Sequence, residues 1–164
     1  MIETERKFLV RRRDWGPPRS ALALRQGYLM TAAGRSLRIR QKGDSFLLTF
    51  KADRDGASRY EFEYEVPADD GRALLALCDR APIEKERLEV AHGDHVWEID
   101  VFCGANAGLV IAEVELDGPH DTPLLPAWLG PEVTHDKRFT NAALYEAPFE
   151  TWGVSYEALL TKAG

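Results

Sequence analysis

Two short acidic pairs, Glu3-Thr4-Glu5 and Glu113-Val114-Glu115, repeat one spacing. On an extended strand, residues two apart project from the same face about 7 Å from each other. Each pair thus offers carboxylate oxygens suited to hard cations such as Mg²⁺ and Mn²⁺. Arg38 and Arg40 share that spacing, as do Lys85 and Arg87, and Lys51 adds a further cation. The guanidinium groups present planar forks to phosphate oxygens, and the lysines act as point charges. Such an inventory can hold a polyanion and a divalent cation together. Phosphoryl transfer asks a protein chiefly for positioning and charge neutralisation. An E-x-E run alone is weak, because a solvated strand face has the same composition.

The elements that must carry these side chains follow from two-residue alternation, which predicts strands at 2–9, 23–31, 36–42, 45–52, 58–66, 83–91, 95–102 and 108–117. Short polar or glycine-bearing links, such as Lys42-Gly43-Asp44, Asp55-Gly56-Ala57 and His92-Gly93-Asp94-His95, imply hairpins and an antiparallel meander. A helix is predicted over 68–80, capped by Asp69 or Asp70, with Leu74, Leu75, Leu77 and Cys78 on one stripe and Pro82 beyond it. Helical pieces follow within 136–146 and 153–162, past a stretch containing Pro119, Pro123, Pro126 and Pro131. The reading is a mainly β, α+β protein, with residues 1–164 forming one domain.

Almost every strand has one charged face, and each face tends toward one sign. Glu3, Glu5 and Lys7 lie together, as do Arg38 with Arg40, and Glu61 with Glu63. Lys51 shares a face with Leu47 and Thr49, Glu98 with Asp100, and Glu113 with Glu115. One arrangement is an open sheet packed on helices by its apolar face, with the charges in water. The other is a barrel, since eight antiparallel strands suffice to close one and remove unpaired edges. With the charged faces inward, burying so many dry ions would cost several kcal/mol each. Such a lumen must therefore be wet or filled by something charged.

Composition narrows the partners. The 164 residues carry 27 Asp plus Glu against 21 Lys plus Arg, a formal charge of −6 that disfavours a basic nucleic-acid surface. No apolar run approaches the roughly 20 residues of a membrane helix. The start MIETERKFLV lacks the sections of a secretory leader, so a cytoplasmic location without a membrane partner is expected. Cys78 and Cys103 have no CxxC partner or clustered histidines and read as small hydrophobes.

The segment Ile2-Glu3-Thr4-Glu5-Arg6-Lys7-Phe8 resembles the E-x-E-x-K signature of the CYTH superfamily, the triphosphate tunnel metalloenzymes. The resemblance continues through Gln26-Gly27-Tyr28-Leu29, Arg38-Ile39-Arg40, Ser58 to Glu65, Ile83 to Arg87, Trp97-Glu98-Ile99-Asp100, Ala112 to Leu116, Trp128-Leu129-Gly130 and Asp136-Lys137-Arg138. It implies a closed eight-stranded antiparallel β-barrel, the triphosphate tunnel, with peripheral helices, a C-terminal helix and a divalent metal, Mg²⁺ or Mn²⁺. By motif position it implies Glu3, Glu5, Glu113 and Glu115 as metal-side carboxylates, with Glu98 or Asp100 helping through water. Lys7, Arg38, Arg40, Lys51, Lys85 and Arg87 become phosphate clamps, with Lys137 closing one mouth. Glu61 and Glu63 would support a second metal or orient the cations. Lys7, Tyr28 and Glu115 are the residues implied nearest the chemistry; Tyr28 reads equally as a proton-transfer group and as a lumen-lining aromatic.

The resemblance implies a small-molecule triphosphate as substrate. The short form, the Trp-Leu-Gly stretch and the tail at 153–162 look most like the bacterial tripolyphosphatase branch, in which inorganic triphosphate is hydrolysed to pyrophosphate and phosphate. A class IV-type adenylate cyclase, a thiamine or nucleoside triphosphatase and a non-enzymatic polyphosphate-binding module are the alternatives. A homodimer is the assembly the family makes available. The tail would favour a small inorganic substrate by plugging one end. His135 stands where relatives often have glycine before Asp-Lys-Arg, and it reads as an exposed loop residue.

Overall fold

The computed structural model describes residues 2–55, 58–118 and 120–161. Nine strands form one antiparallel sheet: β1 (Ile2–Val10), β2 (Ser20–Ala32), β3 (Arg35–Lys42), β4 (Ser45–Asp53), β5 (Ser58–Val66), β6 (Ile83–His92), β7 (His95–Phe102), β8 (Val110–Glu115) and β9 (Leu129–Glu132). The order β5-β4-β3-β2-β6-β7-β8-β1-β9 closes through an extra β1–β5 pairing, so the first eight make a barrel. The open-sheet arrangement is thereby excluded. Gly43 and Gly93, at φ +59° and +60°, supply the positive φ that two-residue hairpin loops require. The links at Gly56-Ala57, the Pro119 position and Lys162 fall outside the described residues.

β1 completes the wall by splitting its outer edge. Ile2, Glu3 and Thr4 pair with β5, and Phe8 and Val10 pair with β9, while Glu5 to Leu9 run along β8 on the other side. Alternation does not reveal β9, because four residues containing Gly130 and Pro131 read as a loop; proline is tolerated there because the strand lies at an edge.

The outward faces are covered on two sides. Trp97, Ile99, Leu88, Phe8 and Val114 form one core, closed by Trp128, whose ring meets Trp97 edge-on at 5.9 Å and Trp15 at 6.3 Å. Helix α1 (Ala68–Ala76) packs over β2, β3 and β4. It ends before the expected residue 80, which leaves Leu77 71% exposed, outside the stripe predicted for it. Its N-cap is Pro67, and Asp69 and Asp70 lie in the first turn, where they complement the helix dipole.

Gly71 brings α1 close to the sheet: a Cβ there would sit 2.2 Å from Cγ of Phe46, itself buried. Alanine at a helix interior gains about 1 kcal/mol over glycine, but overpacking a core typically costs about 1–3 kcal/mol. Gly71→Ala is therefore expected to lower Tm by several degrees; an unchanged or raised melting temperature would show that the helix lifts off without cost.

The inward face changes character along the barrel. At one end Leu9, Ile83, Phe102, Leu109 and Ile111 continue the phase of the charged residues, yet are apolar. Phe139, Leu144, Tyr145 and Phe149 fill that end, carried by two 3₁₀ turns and α2 (Asn141–Glu146). The expected tail helix is α3 (Tyr156–Thr161), and it is not itself the plug. It packs behind the plug through Leu159, and the Tyr156 hydroxyl accepts from the Val10 amide at 2.7 Å and donates to the Val110 carbonyl at 2.8 Å. Six residues with one buried leucine present too little apolar surface to fill a barrel end.

Candidate active site

Above the plug the barrel encloses a polar cavity of about 80 Å³. β1 contributes Glu3, Glu5 and Lys7, β3 contributes Ser36, Arg38 and Arg40, and β4 contributes Lys51. Arg59, Glu61, Arg87, Glu98 and Glu113 complete the charged wall, Tyr28 lines it, and Thr140, Asn141 and Ala142 form the floor. The strand register explains the convergence: Lys7 lies opposite Glu113, Lys51 opposite Glu61, and Arg87 opposite Asp100.

Most of these charges are paired. Lys7 Nζ lies 2.5 Å from Glu113 Oε1 and 2.9 Å from Glu5 Oε1. Burial works against the Lys7 ammonium, but the two carboxylates hold it above its usual range. Lys51 Nζ bridges Glu3 at 2.5 Å and Glu61 at 2.7 Å. Burial drives Glu3 up, while hydrogen bonding to Glu3 and the charge of Lys51 overcome burial and hold Glu61 down. Beneath the wall, Arg87 grips Asp100 with Nε at 2.7 Å and Nη2 at 2.7 Å, and also meets Glu98. Lys85 donates to Asp100 Oδ2 at 2.5 Å.

Two groups of opposite sign stand out from this pairing. Arg38 meets Glu63 only at 3.5 Å, donates to Thr49 Oγ1 at 3.1 Å, and has a buried Nε without a hydrogen-bond partner. Arg40 donates from Nε to the neutral Gln26 Oε1 at 3.1 Å. Burial, then Arg38 and Arg87, push its guanidinium down to about 10 against the opposing charge of Asp100, and among the described residues no carboxylate forms an ion pair with it. On the other side, Glu115 is surrounded by carboxylates: burial, then Glu3, Glu61, Glu98 and Glu5, raise it. In the closed order β3 and β8 are four strands apart in a ring of eight, so the two arginines and Glu115 stand on opposite walls of the barrel, Glu115 just outside the lining of the cavity itself.

The residues fit a hard divalent cation. Glu5 and Glu115 are directly opposite one another, and Glu98 opposes Glu113; like charges so placed are destabilising until something positive lies between them. Carboxylate oxygens are the ligands such a cation takes. Among the described residues no three His, Cys, Asp or Glu side chains already gather around one point. Lys7 and Lys51 draw Glu113, Glu5, Glu3 and Glu61 onto their ammonium groups.

The expected site residues thus separate by depth. Lys85 and Asp100 have side chains with no exposure and form a layer beneath the cavity. Glu115 and Glu63 sit at more exposed positions than the wall residues. Tyr28 lies between cavity and plug, its ring 5.3 Å from that of Tyr145. Lys137 lies outside the cavity lining, on two grooves at the plug end that it shares with Arg59 and Thr140 and that reach Lys7 and Lys51. Arg138 pairs with Asp136 and lies over the Phe139 and Trp152 rings, so it braces the turn, and His135 is exposed. Sequence reasoning missed Arg59, Gln26, Thr49 and Asn141. Arg59 is in phase with Glu61 and Glu63, which could have revealed it; Asn141 carries no such signal.

The CYTH domain profile matches residues 1–140. An inorganic triphosphatase of Acetivibrio thermocellus is 37% identical over 151 residues, 92% of this chain and 97% of that one. An inorganic triphosphatase of Nitrosomonas europaea is 37% identical over 148 residues, 88% of this chain and 97% of that one. A crystal structure of an inorganic triphosphatase superposes with a TM-score of 0.66 at 35% identity, over 87% of this chain and 97% of that one.

Proposed function

The chain belongs to the CYTH domain family, and on that basis we propose that it hydrolyses inorganic triphosphate to pyrophosphate and phosphate, with residues 1–164 acting as one tunnel domain. The observation that carries this reading is the polarised lumen, with Arg38 and Arg40 short of counter-charge on one wall and Glu115 short of it on the other. A linear triphosphate would neutralise the first, and Glu3, Glu5, Glu113 and Glu115 would hold a divalent cation, Mg²⁺ or Mn²⁺, that neutralises the second. When bound, that cation offsets phosphate charge and makes water a better nucleophile.

The chain's own groups do the rest. Arg38, Arg40, Lys51 and Arg87 grip the phosphate oxygens and hold the terminal phosphorus in line with the attacking water. The water oxygen bonds to that phosphorus, the bridging P–O bond breaks, and pyrophosphate leaves on the arginine side. Glu115, which no lysine or arginine among the described residues pairs with, accepts the water's proton. Lys7 keeps Glu5 and Glu113 in place, and Lys85 with Asp100 supports Arg87 from below. Glu61, Glu63 and Glu98 orient the cations, Tyr28 offers a hydroxyl to the leaving group, and Lys137 guards the plug-end opening.

Purified protein should release phosphate from inorganic triphosphate faster than from ATP or thiamine triphosphate, in Mg²⁺ or Mn²⁺, with no cyclic AMP formed from ATP. Cyclic AMP formation would favour the cyclase alternative, and triphosphate binding without phosphate release would favour the binding module. No helix among the described residues is long and apolar enough to cross a membrane, which is compatible with the cytoplasmic location we propose. A homodimer belongs to the same proposal, and a solution mass of one chain by light scattering would remove it.

A further inference from the structure

Lys85 cannot touch the cavity: its side chain has no exposure, burial draws its ammonium down to about 7 against the charge of Asp100, and its Nζ lies 5.3 Å from the centre of the Phe102 ring. It donates to Asp100 and, at 3.1 Å, to Oδ1 of Asn141. Asn141 lines the cavity floor. An ammonium has only donors, so the amide atom facing it must be the oxygen, and the NH₂ group occupies the other branch. We propose that Asn141 is a substrate-binding residue that takes the Lys85 charge on its carbonyl oxygen and presents its amide N–H donors to the lower phosphate of the triphosphate.

Lys85's donation to the carbonyl oxygen polarises the amide and strengthens its N–H groups as donors. A neutral amide at the floor also holds an anion without drawing in the neighbouring carboxylates, as a further guanidinium would. Its placement is rigid. Leu144 and Tyr145 of α2 are buried, the Tyr145 hydroxyl accepts from the Arg80 amide at 2.9 Å, and Thr31 donates to Glu146 at 3.0 Å. Asn141 lies one residue past the segment the family profile matches. The floor is thus supplied by a part of the chain distinct from the strands that carry the clamps.

This inference rests on the triphosphatase reading, and the test separates the two. Wild type, Asn141→Ala and Asn141→Asp are compared for KM and kcat on inorganic triphosphate, for its Kd by calorimetry in EDTA, and for Tm. Asn141→Ala should raise KM and Kd about 10-fold, the loss of a hydrogen bond to a charged group. Asn141→Asp keeps an acceptor for Lys85 but turns a negative charge toward the phosphate, so it should weaken binding more than alanine does, with kcat changing less than KM. Aspartate behaving like wild type would reduce Asn141 to a holder of Lys85 and overturn the proposal, as would a wild-type KM and Kd for alanine. Should the aspartate variant fail to melt cooperatively, Asn141→Ser replaces it; its hydroxyl is too short to donate to the phosphate, and a wild-type KM there overturns the proposal equally. A wild-type protein that neither binds nor hydrolyses triphosphate removes the function itself.

Discussion

Glu115→Gln folds as the wild type does and loses at least about 100-fold in metal-dependent kcat, the scale of removing a group that acts at the reacting centre. The fold survives because Glu115 stands at an exposed position, where partial burial and then the neighbouring carboxylates raise it. Removing its charge relieves repulsion with Glu3, Glu61, Glu98 and Glu5. Activity is lost because glutamine cannot accept the water's proton and is a weaker ligand for a hard cation. Steady-state rates on inorganic triphosphate, a thermal melt and calorimetric titration with Mn²⁺ measure the three parts separately. Wild-type hydrolysis by this variant would remove Glu115 from the chemistry, and a large drop in Tm would show it to be structural.

Asp100→Asn should act in the opposite way, on the fold first. Asp100 is fully buried and is the shared counter-ion of Lys85 and Arg87. Replacing it removes the negative charge between two buried cations. Breaking a buried pair from one side costs about 3–5 kcal/mol, equivalent to roughly 6–20 °C in Tm for a chain of this size. The pH dependence has a definite sign. Burial alone would raise the Asp100 carboxyl, but Lys85 and Arg87 outweigh it and hold the group below its ordinary value. Its contribution is therefore present above the unfolded pKa of about 4 and is lost as pH falls through the folded value. The gap in Tm between wild type and Asp100→Asn should be widest near neutrality and close in strong acid; a constant gap would assign the loss to packing.

These two carboxylates look alike in the sequence. Each lies on an inward face of a strand whose alternation is clear, and nothing local distinguishes the one that braces a cation layer from the one that stands at the lumen's rim. Alternation reports which way a side chain points, because the pleat has a period of two. It is silent about height along the barrel. Leu9 and Ile111 continue the phase of Lys7 and Glu113 yet pack against the plug, and β9 carries too few alternating residues to be read.

Local pattern in the chain specifies the eight barrel strands, their hairpin order, the charged face of each and the family resemblance, since all of these depend on neighbours a few residues apart. Closure through β1 and β5, the strand β9, the apolar end of the lumen, and the placement of Arg38 and Arg40 on the wall opposite Glu115 arise in the folded chain alone. Folding also brought Asn141 against Lys85, 56 positions away in the chain. Charge compensation is a sum over whatever surrounds a group in space, and strands far apart in the chain supply most of that sum here.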